Sequence, residues 1–111
     1  MKKVFLVDSN PMQIKVWETY LLDTDWELYT LRELADFGFR CRDFAPDLIV
    51  LGRGFTSEES ISTASQEVSQ IPVIPFQNEE AAKEELSFPV PFKPEDIGAI
   101  LDELLAKSKS L

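Results

Sequence analysis

The stretch Pro46-Asp47-Leu48-Ile49-Val50-Leu51-Gly52-Arg53-Gly54 reads as a turn, a strand and an abrupt exit into a loop. Four uninterrupted aliphatic residues, bounded by Pro-Asp on one side and glycine on the other, suit a strand buried on both faces of a parallel sheet. The exit residue, Gly52, has no side chain with which to bind or react. A glycine here also admits φ > 0, which would make a replacement by aspartate cost about 1 kcal/mol.

Outward from this strand, four more short apolar runs recur: Lys3 to Val7, Trp26 to Leu31, Ile71 to Phe76 and Phe88 to Phe92. The segments between and after them carry helical patterns. Asn10 can cap a helix with Pro11 at its first position and Ile14, Trp17 and Leu21 on its inner face. Leu34, Phe37, Cys41 and Phe44 share a second helical face that Pro46 ends. Thr56 and Glu59 have capping-box spacing before a face of Ile61, Ala64 and Val68. Asn78 to Leu86 leaves room for only about two helical turns. The last helix, Pro94 to about Lys107, turns Ile97, Ile100, Leu101, Leu104 and Leu105 inward. Such alternation predicts an α/β domain, a parallel sheet with helices on both faces. The domain is expected over residues 1–107, with a tail over 108–111.

Composition narrows the function. The chain has 111 residues, a net charge of −9 and no histidine. That charge opposes nucleic acid and anionic membranes and leaves protein partners, with a homodimer as an open alternative. No apolar run approaches the ~20 residues of a membrane span, and Val4 to Val7 is too short for a secretory signal. Cys41 is the only cysteine. It excludes an internal disulfide, which suits a reducing cytoplasm. On its apolar helical face it reads as a buried, inert thiol. Gly52-Arg53-Gly54 lacks the remaining glycines and the lysine of a phosphate loop, and Arg53 reads as a solvated loop residue. The carboxylates between Glu79 and Glu85 read as a solvated helix face. Trp17 is expected in the core; Trp26, near Asp23 and Asp25, is expected to be partly exposed.

Four stretches in order carry a resemblance: Lys3-Val4-Phe5-Leu6-Val7-Asp8, Pro46 to Leu51, Ile71-Pro72-Val73-Ile74, and Pro91-Phe92-Lys93-Pro94-Glu95-Asp96-Ile97. Together they resemble the receiver domains of two-component response regulators (CheY-like) over nearly the whole chain. The resemblance implies a five-stranded parallel sheet of order 2-1-3-4-5 with a shortened fourth helix, and a site at the carboxyl ends of the strands. Active members of that family use two acidic residues after the first strand and a phospho-accepting aspartate after the third, which together hold Mg²⁺. A Ser or Thr after the fourth strand and a Lys before Pro-Phe at the end of the fifth complete their site. In this chain Asp8 matches the first acidic position, but Ser9, Gly52, Gln77 and Val90 stand at the other four.

The resemblance therefore implies a pseudo-receiver with a degenerate phosphorylation pocket: no catalysis, no metal and no cofactor. Asp8 is expected to bond nearby backbone N–H groups. The expected role is a phosphorylation-independent protein-interaction or localisation module of bacterial signalling. One alternative is a small-ligand or anion sensor using donors at Gly52, Gly54, Gln77 and Asn78. Another is a residual phosphorylatable receiver using Asp8 or Asp47, although Asp47 belongs to the far end of its strand. Pro89 and Pro91 strip donors from one edge of the fifth strand, so a partner is expected on side chains nearby. Phe88 and Phe92 are the candidate anchors.

Overall fold

A computed structural model describes residues 1–68, 70–77 and 86–110. Its elements are β1 (Lys2–Val7), α1 (Pro11–Leu21), β2 (Trp26–Leu31), α2 (Phe37–Phe44), β3 (Leu48–Leu51), α3 (Glu58–Glu67), β4 (Val73–Pro75) and α4 (Ile97–Lys109), the last entered through a 3₁₀ turn at Pro94–Asp96. The strands form one parallel sheet of order β2-β1-β3-β4. The expected α/β class and strand order are present.

The two-residue period of the strands divides the core. Val4 and Leu6 of β1, with Leu48 and Val50 of β3, pack beneath α1 and α4 against Trp17, Leu21, Ile97, Leu101 and Phe88. Phe5, Val7, Ile49 and Leu51 face the other way, onto Phe37 and Cys41 of α2 and Ile61 and Ala64 of α3. The central strands are apolar from Val4 to Val7 and from Leu48 to Leu51 because each face there has its own helical layer.

Local chemistry sets the helix ends. Asn10 accepts the Met12 N–H at 2.9 Å, with Pro11 in the first helical position. The residue before Pro46 is barred from continuing a right-handed helix. Ala45 instead adopts φ 54 and caps α2 by donating its N–H to the Cys41 carbonyl at 2.8 Å. α3 starts one residue later than the Thr56–Glu59 pattern suggests. Ser57 is the cap, accepting the Ser60 N–H at 3.1 Å, and Glu58 and Glu59 then occupy the first turn. Val68 lies beyond this helix rather than on its inner face.

Three further expectations need correction. The fifth strand is reduced to one parallel bridge, Phe76 with Phe88, closed by Gln77 N–H to Phe88 O and Phe88 N–H to Pro75 O, both 2.8 Å. Pro75 has no N–H to extend it on one side, and the chain bends at Val90 and Pro91 on the other. Trp26 is buried, because its indole N–H donates to Asp102 at 3.0 Å while Lys2 lies over its ring and also bonds Asp102. The last helix runs to Lys109, so it takes in part of the expected tail. The helix expected over residues 78 to 86, with the Glu79–Glu85 run, falls mainly outside the described residues.

Candidate functional site

The end of β1 and the end of β3 lie side by side, and the chain leaves both through tight turns. Asp8 follows β1 and is fully buried. Its Oδ1 accepts the Asn10 N–H at 2.8 Å, the short turn that an Asp two residues ahead of an amide favours. Its Oδ2 accepts the Arg53 N–H at 3.1 Å. Burial is the largest influence on this carboxyl and raises its pKa; the two amides and the Arg53 charge pull it down but do not win. Asp8 thus has the local backbone partners expected for it.

Gly52 lies directly across from Asp8. Its N–H donates to Val7 O at 2.7 Å, and it is buried. A Cβ at this position would lie 2.9 Å from Asp8 Cγ and 3.1 Å from Asp8 Cβ, with Oδ2 nearer still. Gly52 does not take a positive φ; that conformation belongs to Gly54, at φ 94. The absence of a side chain at position 52 is therefore a matter of space, not of backbone freedom. Ser9 is also committed: its hydroxyl donates to the Arg53 carbonyl at 2.9 Å, and its N–H reaches the same oxygen at 3.0 Å.

Asp8, Gln77 and Val90 line one cleft of about 260 Å³, together with Arg53 and Phe92. Gln77 and Val90 are exposed. Asn78, the remaining donor of the sensor alternative, lies outside the described residues. Asp47 accepts the Lys3 N–H at 2.8 Å at the opposite end of the sheet. Phe88 is fully buried, packed on Trp17, Phe76 and Phe92 with ring centroids 5.1 to 5.4 Å away, which removes it as an exposed anchor. Phe92 is half-buried against the same cluster.

Sequence reasoning expected nearby amides for Asp8 but missed the backbone of Arg53, which is far along the chain. Arg53 reads as a loop residue from its side chain, yet its N–H and C=O tie the two strand ends together. The Asp-Ser-Asn-Pro order after an apolar run signals the turn to Asn10, whereas no local pattern signals Arg53.

These donors do not fit the divalent cation that the receiver pattern implies. Mg²⁺ requires an octahedron of oxygens. Here one carboxylate spends both oxygens on amides, the Ser9 hydroxyl faces a carbonyl and position 52 offers nothing. Among the described residues no three acidic, Cys or His side chains form a metal-holding group, and no helix is long and apolar enough to cross a membrane.

No protein-family model and no curated protein matches the chain. Solved structures do. One described as a transiently phosphorylated "switch" in bacterial signal transduction is 15% identical with a TM-score of 0.76, covering 97% of each chain. A response regulator from Desulfuromonas acetoxidans is 15% identical with a TM-score of 0.75, covering 96% of this chain and 98% of that one. The anti-anti-sigma factor PhyR from Bartonella quintana is 14% identical with a TM-score of 0.70; the match covers 97% of this chain but 49% of PhyR. The likeness is one of fold, and that fold is the one found in response-regulator receiver domains.

Proposed function

We propose that this chain is a pseudo-receiver: a protein-interaction or localisation module of bacterial signalling that works without phosphorylation and without catalysis. One observation carries the reading. The space an acceptor side chain would need at position 52 is filled by the Asp8 carboxylate, locked there by the Asn10 and Arg53 amides. Phosphoryl transfer depends on a placed nucleophile and on cations that neutralise developing charge. The pocket supplies neither. A protein partner fits the net charge of −9, which repels nucleic acid, and the fold is shared with a protein named as an anti-anti-sigma factor. Exposure to acetyl phosphate and Mg²⁺, read by intact mass, tests the proposal.

The cleft favours a second reading, a small-anion sensor, because Arg53 and Gln77 both line it. Isothermal titration with inorganic phosphate and with acetate tests it; heat that vanishes in Arg53→Ala supports the sensor.

A further inference from the structure

The two edges of the sheet differ. Around β4, Pro72, Pro75, Pro89 and Pro91 remove backbone donors. At the other edge, β2 reads Trp-Glu-Leu-Tyr-Thr-Leu, without the proline or lysine by which exposed edges are commonly closed. Among the described residues no strand pairs with its outer side. Lys2 N–H donates to Asp25 O, and Asp8 N–H to Leu31 O, so the odd-numbered residues of β2 turn their backbone groups toward β1. The N–H and C=O groups of Leu28 and Thr30 therefore point away from the sheet. Trp26 N–H, which shares their parity, is taken by Thr24 Oγ1 at 3.2 Å.

A groove accompanies this edge between α1 and β2. Two hollows of about 390 and 930 Å³ share Glu18 and Thr30. Leu21, Leu22, Trp26 and Leu28 supply apolar lining, and Leu22 is 79% exposed. A six-residue strand such as β2 runs for about 20 Å at ~3.3 Å per residue, the length of a short extended peptide.

Charge selects the occupant. Glu18 and Glu27 line the groove, and Asp23 and Asp25 sit in the turn between α1 and β2. The side chain of none of these four has a hydrogen bond or ion pair among the described residues. Arg32 and Glu33, at the other end of the groove, carry opposite charges and leave these four as its excess. A basic segment would neutralise them.

We propose that the outer edge of β2 receives an extended segment of a partner protein in which apolar residues alternate with Lys or Arg. The segment pairs its backbone with Leu28 and Thr30, lays its apolar side chains into the α1–β2 groove and meets the four carboxylates with its charges. This rests on the interaction-module reading and adds the surface and the partner's chemistry.

The test is a titration of ¹⁵N-labelled protein with a peptide alternating lysine and valine, against glutamate–valine and lysine–glycine controls. Amide shifts centred on Leu28 and Thr30 are expected with the lysine–valine peptide alone. Affinity should fall about tenfold or more in Thr30→Pro, which removes an outward donor and no bond to β1, and in the surface double variant Glu18→Lys, Glu27→Lys. Circular dichroism checks both folds, and the double variant decides if Thr30→Pro unfolds. The proposal is overturned by absent shifts at millimolar peptide, by equal binding of the glutamate–valine peptide, by unchanged affinity in the folded variants, or by a dimer that buries β2. Phosphoryl uptake would defeat the underlying reading and leave the peptide result standing, so the two failures are distinguishable.

Discussion

The Asp8 carboxylate occupies the position that a side chain at Gly52 would require: a Cβ there would stand 2.9 Å from Asp8 Cγ. The two strand ends share one space, and Asp8 has it. Its two amide partners, Asn10 and Arg53, keep it from turning aside.

Gly52→Ala should therefore destabilise the fold by about 2 kcal/mol, because Asp8 must leave amides that are costly to strand. In an Asp8→Ala background that space is emptied, and the same substitution should cost about 1 kcal/mol less. Urea denaturation of the four proteins in the cycle measures this coupling; additive effects would contradict the shared space.

Gly52→Asp should not restore phosphorylation. It forces a second carboxylate against Asp8, and like charges so placed cannot both ionise readily. The variant should be less stable at pH 7 than at pH 5 relative to the parent, and acetyl phosphate should leave its mass unchanged. Rapid Mg²⁺-dependent phosphorylation would show a more complete site.

The pH dependence has two opposed parts. Burial raises Asp8, so its contribution to stability is complete below the ordinary carboxylate value of ~3.9 and is lost as pH rises through the folded value. The Lys2 hydrogen bond lowers Asp102, so its contribution is present above that ordinary value and is lost as pH falls through the folded value. Urea midpoints from pH 3 to 7 should show Asp8→Asn removing the first trend and Asp102→Asn the second.

Core and surface aromatics should separate. Phe88→Ala should cost about 3–5 kcal/mol, the range for a fully buried phenylalanine, and half-buried Phe92→Ala distinctly less. Comparable small losses in thermal or urea unfolding would contradict the packing on Trp17 and Phe76.

Cys41 should resist a thiol reagent such as DTNB in the native state at pH 8 and react fully once unfolded. Burial pushes its thiol up to about 12, which leaves little thiolate.

Much of the fold was legible because strands packed on both faces leave continuous apolar runs. Val4–Val7 and Leu48–Leu51 are such runs, and both are strands. What failed depended on partners far along the chain. Trp26 reads as partly exposed beside Asp23 and Asp25, but its burial depends on Asp102, which no local pattern reveals. Phe88 to Phe92 reads as a strand by its apolar content, but Pro75 of β4 has no N–H to offer it and the chain bends at Val90 and Pro91, so the ladder is confined to Phe88. At the site, the lack of a side chain at position 52 was readable from one letter. The steric reason for it was not, because Asp8 is distant in sequence and reaches Gly52 only through the pairing of β1 with β3.

The most direct measurement is intact mass spectrometry of the purified protein after incubation with acetyl phosphate and Mg²⁺, beside an active receiver domain as a positive control. The account predicts that the control gains a phosphoryl group and this chain does not, at any Mg²⁺ concentration. A stoichiometric, Mg²⁺-dependent phosphoryl adduct on this chain would contradict it.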